Sequence, residues 1–235
     1  MLYNLCLFVL LFFIYSFIGY IIEIICVSII DKKIVFSRGY LIGPYLPIFG
    51  FGGLIMFGYL SRYENDLLVL FVMSMVSSGL LEYFTSLLLE KIFKLRWWDY
   101  SDKKLNINGR VCLENCVLFG FGGIVFVKFI NPFIKNILFG MSQMMIIILG
   151  IIVFMIMFSD FVFSTFIICQ LKYDSSKYTS RDATKYVREQ IITSLHKYNF
   201  LHKRLFHAFP NIAKNKNFKE MRKAIEDFRK KRKNL

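Results

Sequence analysis

Apolar residues run along this chain in long blocks separated by short polar links. Five blocks reach the roughly 20 residues that carry a helix across a bilayer: residues 5–30, 41–60, 67–89, 111–129 and 141–169. In the first, only Ser16 and Glu23 are strongly polar interruptions, and Asp31-Lys32-Lys33 ends it. The second holds Pro44 and Pro47, which suit a first turn or a broken lead-in where a missing N–H matters least. Its glycines, Gly43, Gly50, Gly52, Gly53 and Gly58, permit close helix approach. In the third, Ser74, Ser78, Glu82, Ser86 and Glu90 recur every four residues and so share one helix face. The fifth carries Asp160 and Ser164 one turn apart. The pattern predicts an all-α, polytopic membrane protein with five transmembrane helices in residues 1–170.

Between the third and fourth blocks lies a polar aromatic loop, Arg96-Trp97-Trp98-Asp99-Tyr100-Ser101, followed by Asn106-Ile107-Asn108-Gly109-Arg110. Beyond residue 170 the composition changes. The tail 171–235 carries 18 of the 30 Lys/Arg against 6 Asp/Glu, which is most of the net charge of +14. Next to membrane spans, such a segment points to the anionic cytoplasmic leaflet rather than to nucleic acid. Ser180 can cap an amphipathic helix with Ala183, Val187, Ile191, Leu195, Tyr198, Leu205 and Phe209 on its apolar stripe. His196, His202 and His207 are irregularly spaced within it and read as interfacial polar residues, not ligands.

Lys and Arg set the orientation. Successive segments between and after the spans hold 3, 1, 6, 2 and 18 of them. By the positive-inside rule the N-terminus lies outside the cell membrane, and the Trp loop and tail lie in the cytoplasm. Residues 1–30 do not read as a cleaved signal peptide, since no Lys or Arg precedes the apolar run and no A-x-A-like site follows. The first helix is expected to remain as an anchor.

An internal repeat is expected as well. Gly39 precedes Phe49-Gly50-Phe51-Gly52-Gly53 by ten residues, as Gly109 precedes Phe119-Gly120-Phe121-Gly122-Gly123. Each unit follows a span with a Gly-then-Glu pair, Gly19/Glu23 and Gly79/Glu82. Both units enter from the same side, which makes a parallel repeat of helical hairpins, a transporter construction.

Carboxylates inside membrane spans cost about 2.5–3.5 kcal/mol each on insertion scales and mark function or pairing. The candidate residues are therefore Glu23, Arg38, Glu82, Glu90, Trp98, Asp99, Asn106, Arg110 and Asp160. Two readings stand beside each other: a polar cavity between repeats that meets a substrate, or a structural network in which each Glu-bearing helix fixes a loop arginine. The pairing expected is Glu82 and Glu90 with Arg38 and Arg110. Trp97 and Trp98 read as interfacial anchors. Cys112 and Cys116, one turn apart with no His nearby, read as small packing residues. No catalytic group, cofactor or metal is expected: the chain holds no convincing nucleophile–base pair and no metal-ligand cluster.

The residues Ser16-x-x-Gly19-x-x-x-Glu23, Arg38-Gly39-Tyr40-Leu41-x-Gly43-Pro44-x-x-Pro47, Glu82-x-x-x-Ser86-x-x-x-Glu90 and Trp97-Trp98-Asp99-Tyr100-Ser101…Asn106-x-x-Gly109-Arg110 form a specific set. Over residues 12–125 they resemble the CmpB-like ABC-transporter type IV membrane family, and Phe209-Pro210 in the tail is also similar. Tyr40 and Tyr20 depart from it, where the family tends to have Phe and Trp. The resemblance implies a multi-span, permease-like protein of the cell membrane. No G-x-x-x-x-G-K-[ST] phosphate loop occurs in the chain, so ATP hydrolysis would come from a separate ATPase subunit; a homo-oligomer is compatible with the same reading. The alternatives are a membrane enzyme acting on lipid headgroups at the cytoplasmic interface and a membrane scaffold with a regulatory basic tail.

Overall fold

The structure is a computed structural model that describes residues 1–32, 39, 41–93 and 96–177. Arg38 and the tail from residue 178, with its expected helix, lie outside the described residues. The described chain is helical apart from a two-residue antiparallel pairing, β1 (Asn106–Ile107) with β2 (Val111–Cys112). Its helices are α1 (Leu2–Asp31), α2 (Pro47–Gly58), α3 (Leu67–Phe93), α4 (Leu113–Val125), α5 (Asn131–Phe139) and α6 (Gln143–Lys177), with a short 3-10 turn at Leu60–Tyr63. Four apolar stretches among the described residues are long enough to cross a membrane: Leu2–Ile29, Leu67–Phe93, Leu113–Phe139 and Gln143–Cys169.

The second apolar block behaves differently from the other four. Its helix has only 12 residues, about 18 Å at 1.5 Å per residue, against a hydrocarbon core of about 30 Å. Residues 41–46 are not helical. Pro47 starts α2 at a position where its missing donor is harmless. The amide of Leu46, ahead of that helix, donates to the Ser16 carbonyl of α1 at 3.0 Å. The lead-in to α2 therefore meets α1 halfway along its length, not at its end.

The apolar pattern leaves residues 130–140, with Pro132, as a link between the fourth and fifth blocks, and the structure makes most of this stretch helical instead. Helix α4 runs on through a π turn, Phe126–Ile130, into α5. Pro132 sits in the first turn of α5. A wider turn just before it accommodates the ring and the absent N–H that would break a regular helix. Lys128 and Lys135 consequently lie on helix, and Lys135 rests over the Phe57 ring at 4.9 Å.

The helices pack as two antiparallel hairpins, α1/α2 and α3/α4, with α6 parallel to α1. Small residues set the distances. A Cβ on Gly50 would meet Ser16 Oγ at 2.3 Å and the Phe12 ring at 2.7 Å, and one on Gly53 would meet Tyr15 at 2.5 Å. In the second hairpin a Cβ on Gly120 would run into the Phe71 ring and one on Gly123 into Ser74. A Cβ on Gly150 of α6 would fall 2.5 Å from Cys6 Cβ of α1. Lipid gives helices no hydrophobic reason to associate, so this close contact is what holds them together. Two buried clusters follow. Cys6, Leu10, Leu11, Tyr15, Ile134, Leu138 and Ile146 form one, and Met56, Leu60, Leu70 and Val127 the other. The outward side chains of α6, among them Ile148, Ile152, Met155 and Phe163, are exposed and apolar, as a lipid-facing surface must be.

Candidate functional site

The polar stripe of α3 turns inward as its spacing predicts. Ser74, Glu82 and Ser86 are buried, and Ser78 and Glu90 are half-buried. It faces α4 and the loop 96–112, which is built tightly around Gly109. That glycine has φ +66°, and a Cβ there would fall 2.5 Å from Ser101 Oγ and 2.6 Å from Asp99 Oδ1. Only glycine fits both the conformation and the space. Around it, Arg96 donates from Nη1 to Asp99 Oδ1 at 3.1 Å and from Nη2 to the Asn108 carbonyl at 2.8 Å. Asn106 Oδ1 accepts from the Gly109 amide at 2.8 Å, while its Nδ2 donates to the Lys103 carbonyl at 2.8 Å. Trp98 Nε1 donates to the Arg110 carbonyl at 2.9 Å. Trp97 is buried against Phe93, ring centroids 5.7 Å apart. Asp99, Asn106 and Trp98 thus shape the loop that delivers Arg110 and Tyr100 to α3.

Those two residues divide the carboxylates of α3 between them. Arg110 Nη1 donates to Glu90 Oε2 at 2.5 Å and to Ser86 Oγ at 3.4 Å. The Tyr100 hydroxyl donates to Glu82 Oε1 at 2.9 Å. The expected Glu82–Arg110 pair is therefore replaced. Glu82 lies eight residues deeper than Glu90, about 12 Å along the helix axis, and a loop arginine held opposite Glu90 does not span that distance. Glu90 and Arg110 do pair, as expected. Burial raises the Tyr100 phenol well above its ordinary value, and the charges of Glu82 and Glu23 push it further. Glu23 of α1 thus lies within electrostatic reach of both Tyr100 and Glu82. Glu82 Oε2 is buried and accepts no hydrogen bond among the described residues. On the same face of α1, Ser16 and Gly19 are buried, Glu23 is half-buried and Cys26 is exposed.

Asp160 belongs to a different place. Its Oδ1 accepts from the Ile42 amide at 2.9 Å and from Ser164 Oγ at 2.8 Å. Its Oδ2 accepts from the Gly43 amide at 2.8 Å and from the Tyr45 hydroxyl at 2.5 Å. This carboxylate fastens the lead-in of α2 to α6. Sequence reasoning singled out Asp160 and Ser164 but not their partners. It also missed a buried chain in which Tyr15 Oη donates to Asn131 Oδ1 at 3.1 Å and Asn131 Nδ2 donates to Ser61 Oγ at 3.1 Å. The one available signal was an Asn beside a Pro in an otherwise apolar stretch.

No group of three or more His, Cys, Asp or Glu that could hold a metal occurs among the described residues, and all five cysteines are unbridged. An apolar groove of about 410 Å³ lies between α1 and α5, walled by Ile14, Ile18, Phe129, Phe133 and Ile137 among others; it offers no polar contact for a charged substrate.

Residues 10–165 match the family described as "Putative ABC-transporter type IV". No curated protein and no solved structure matches the chain.

Proposed function

This chain belongs to the "Putative ABC-transporter type IV" family, and from that premise we propose that it is the membrane-spanning, permease-like subunit of a transporter. The observation that carries the reading is that Glu23 of the first hairpin lies within electrostatic reach of Glu82 and Tyr100 of the second, with the Glu90–Arg110 pair further along the same α3 stripe. A polar site at the junction of repeats is how transporters expose one site to alternating sides. The junction is direct: the rings of Phe49 and Phe119, which follow Gly39 and Gly109 by the same ten residues, lie 6.1 Å apart.

Contacts within each hairpin support the repeat and refine it. Phe12 and Tyr15 cover Gly50 and Gly53, as Phe71 and Ser74 cover Gly120 and Gly123. Glu23 follows Phe12 by eleven residues and Glu82 follows Phe71 by eleven. Glu23 and Glu82 are then equivalent positions, and Gly19 corresponds to Ser78 rather than to Gly79. Five crossings remain the proposed topology, with the lead-in 39–46 and the short α2 together making the second. The antiparallel order of each hairpin and the parallel order of α1 and α6 are what that topology requires. The N-terminus is outside and the basic tail cytoplasmic, against anionic lipid.

With no phosphate-loop motif in its sequence, the subunit takes its ATP hydrolysis from a separate ATPase. Purifying the full chain from its native membranes tests this. The expected result is a co-eluting subunit that carries the phosphate loop, together with ATPase activity that is lost when that subunit is stripped. Lipid-headgroup turnover by the chain alone would overturn the reading in favour of a membrane enzyme.

A further inference from the structure

We propose that Glu82 and Glu23 form the anionic half of a binding site for a monovalent cationic group, either an alkali-metal ion or the ammonium of a small organic ligand. Glu82 is only 6% exposed, and its surroundings are uneven. Oε1 takes the Tyr100 hydroxyl at 2.9 Å. Oε2, equally withdrawn from solvent, accepts nothing among the described residues. A buried oxygen without a donor costs about 1–3 kcal/mol, and more when it carries charge, so it is not kept without a compensating group. The two arginines of the loop are already committed. Arg110 is held by Glu90 and Ser86, and Arg96 by Asp99 and Glu90.

Among the described residues, the groups around the orphan oxygen are a carboxylate, a hydroxyl and the neutral Asn115 amide, none of which brings a positive charge. Glu23 lies within electrostatic reach from the equivalent position of the other hairpin, and the Asn115 side chain approaches the same carboxylate from α4. Two carboxylates brought together at hydrocarbon depth repel each other. A cation between them removes that repulsion and supplies the missing partner of Oε2 in one step. An anion or a neutral apolar ligand does neither. A proton shared between the two carboxylates relieves the repulsion as well, and the experiment tells it apart because it gives no saturable response to a cation.

This inference deepens the permease reading by naming the charge its ligand carries. It is tested on the chain alone, so the absence of an ATPase partner leaves it standing. The full-length protein, in nanodiscs of zwitterionic lipid, would be melted at neutral pH and constant ionic strength with a bulky tetrapropylammonium salt as the filler. One arm titrates sodium and potassium, and the other methylammonium and ethanolammonium. One arm should raise the melting midpoint saturably, by about 4 °C at ten times the dissociation constant, and thereby identify the source of the charge. Glu82→Gln should abolish the shift, Glu23→Gln should weaken it, and Glu64→Gln, in an exposed link, should preserve it. Should Glu82→Gln fail to fold, Glu82→Asp provides the same readout, with the shift moved to higher concentration. Three results overturn the proposal. The first is no saturable shift in either arm, and the second is a shift that survives at Glu82→Gln. The third is a shift that appears only once Arg38 is changed to Gln, which would mean that the chain's own arginine fills the site.

Discussion

Arg110 meets Glu90 and not Glu82: its Nη1 lies 2.5 Å from Glu90 Oε2, while Glu82 is served by the Tyr100 hydroxyl. The arginine side chain is 13% exposed and the glutamate 37%. Water screens the glutamate end, so the coupling energy belongs to the range of partly exposed pairs, about 0.5–1 kcal/mol. A double-mutant cycle of Arg110→Ala with Glu90→Gln should return that value. The cycle with Glu82→Gln should return none, and a larger coupling to Glu82 than to Glu90 would overturn this division of partners.

Tyr100→Phe removes the hydroxyl that donates to Glu82 Oε1 at 2.9 Å and leaves that oxygen of a buried carboxylate without its donor. A loss of about 1–3 kcal/mol in thermal stability is expected. The wild-type phenol has its pKa raised by burial and by Glu82, so the fold prefers the protonated ring. That preference is fully present below the free phenol value, about pH 10, and fades as pH climbs toward the raised folded value. Melting curves taken above that pH should therefore fall more steeply for wild type than for Tyr100→Phe.

Asp160→Ala strands the amides of Ile42 and Gly43 and the hydroxyl of Tyr45 together. At about 1–3 kcal/mol for each polar group left unpaired away from water, in a segment that sits against membrane helices, this should be among the most damaging single changes. Tyr45→Phe, which removes one donor and leaves no orphan on Asp160, should cost much less. Melting of the two variants side by side decides the matter; equal losses would mean that the two amides contribute nothing.

Glycines of similar sequence context should answer very differently to alanine. At Gly53 the added methyl would sit 2.5 Å from Tyr15 and prise α1 from α2, an overpacking cost of about 1–3 kcal/mol. At Gly122 nothing lies within 4 Å, and alanine should be neutral or slightly stabilising through helix propensity. Thermal midpoints for the pair provide the check.

Cysteines introduced at Lys103 and at Ser142 should label from opposite sides of the membrane. Ser142 replaces the more obvious Lys135 because the latter lies on α5, over the Phe57 ring. Labelling of both from outside would refute the orientation.

Much of this was legible in the sequence because membrane helices declare themselves by length and apolarity. The four long helices and the buried stripe of α3 follow from spacing alone. The rest was set by contacts that spacing does not encode. Pro132 reads as a breaker unless a π turn at Phe126–Ile130 is known to precede it. The shortness of α2 depends on Leu46 finding the Ser16 carbonyl and on Asp160 collecting the amides of Ile42 and Gly43. The partner of Glu82 was missed for a related reason: a loop tyrosine's reach into a bundle depends on how the loop folds around Gly109.

The Asp160 contacts also impose an order of assembly. Ile42 and Asp160 are 118 positions apart along the chain. A ribosome that has released α1, α2 and the whole second hairpin has still not made the group that satisfies those two amides. Until the last helix enters the bilayer, the lead-in to α2 has unmet polar backbone that hydrocarbon does not tolerate. The first hairpin to be synthesised is therefore the last to be finished, and a chain truncated before Asp160 should leave residues 41–46 open to protease and recognisable to quality control.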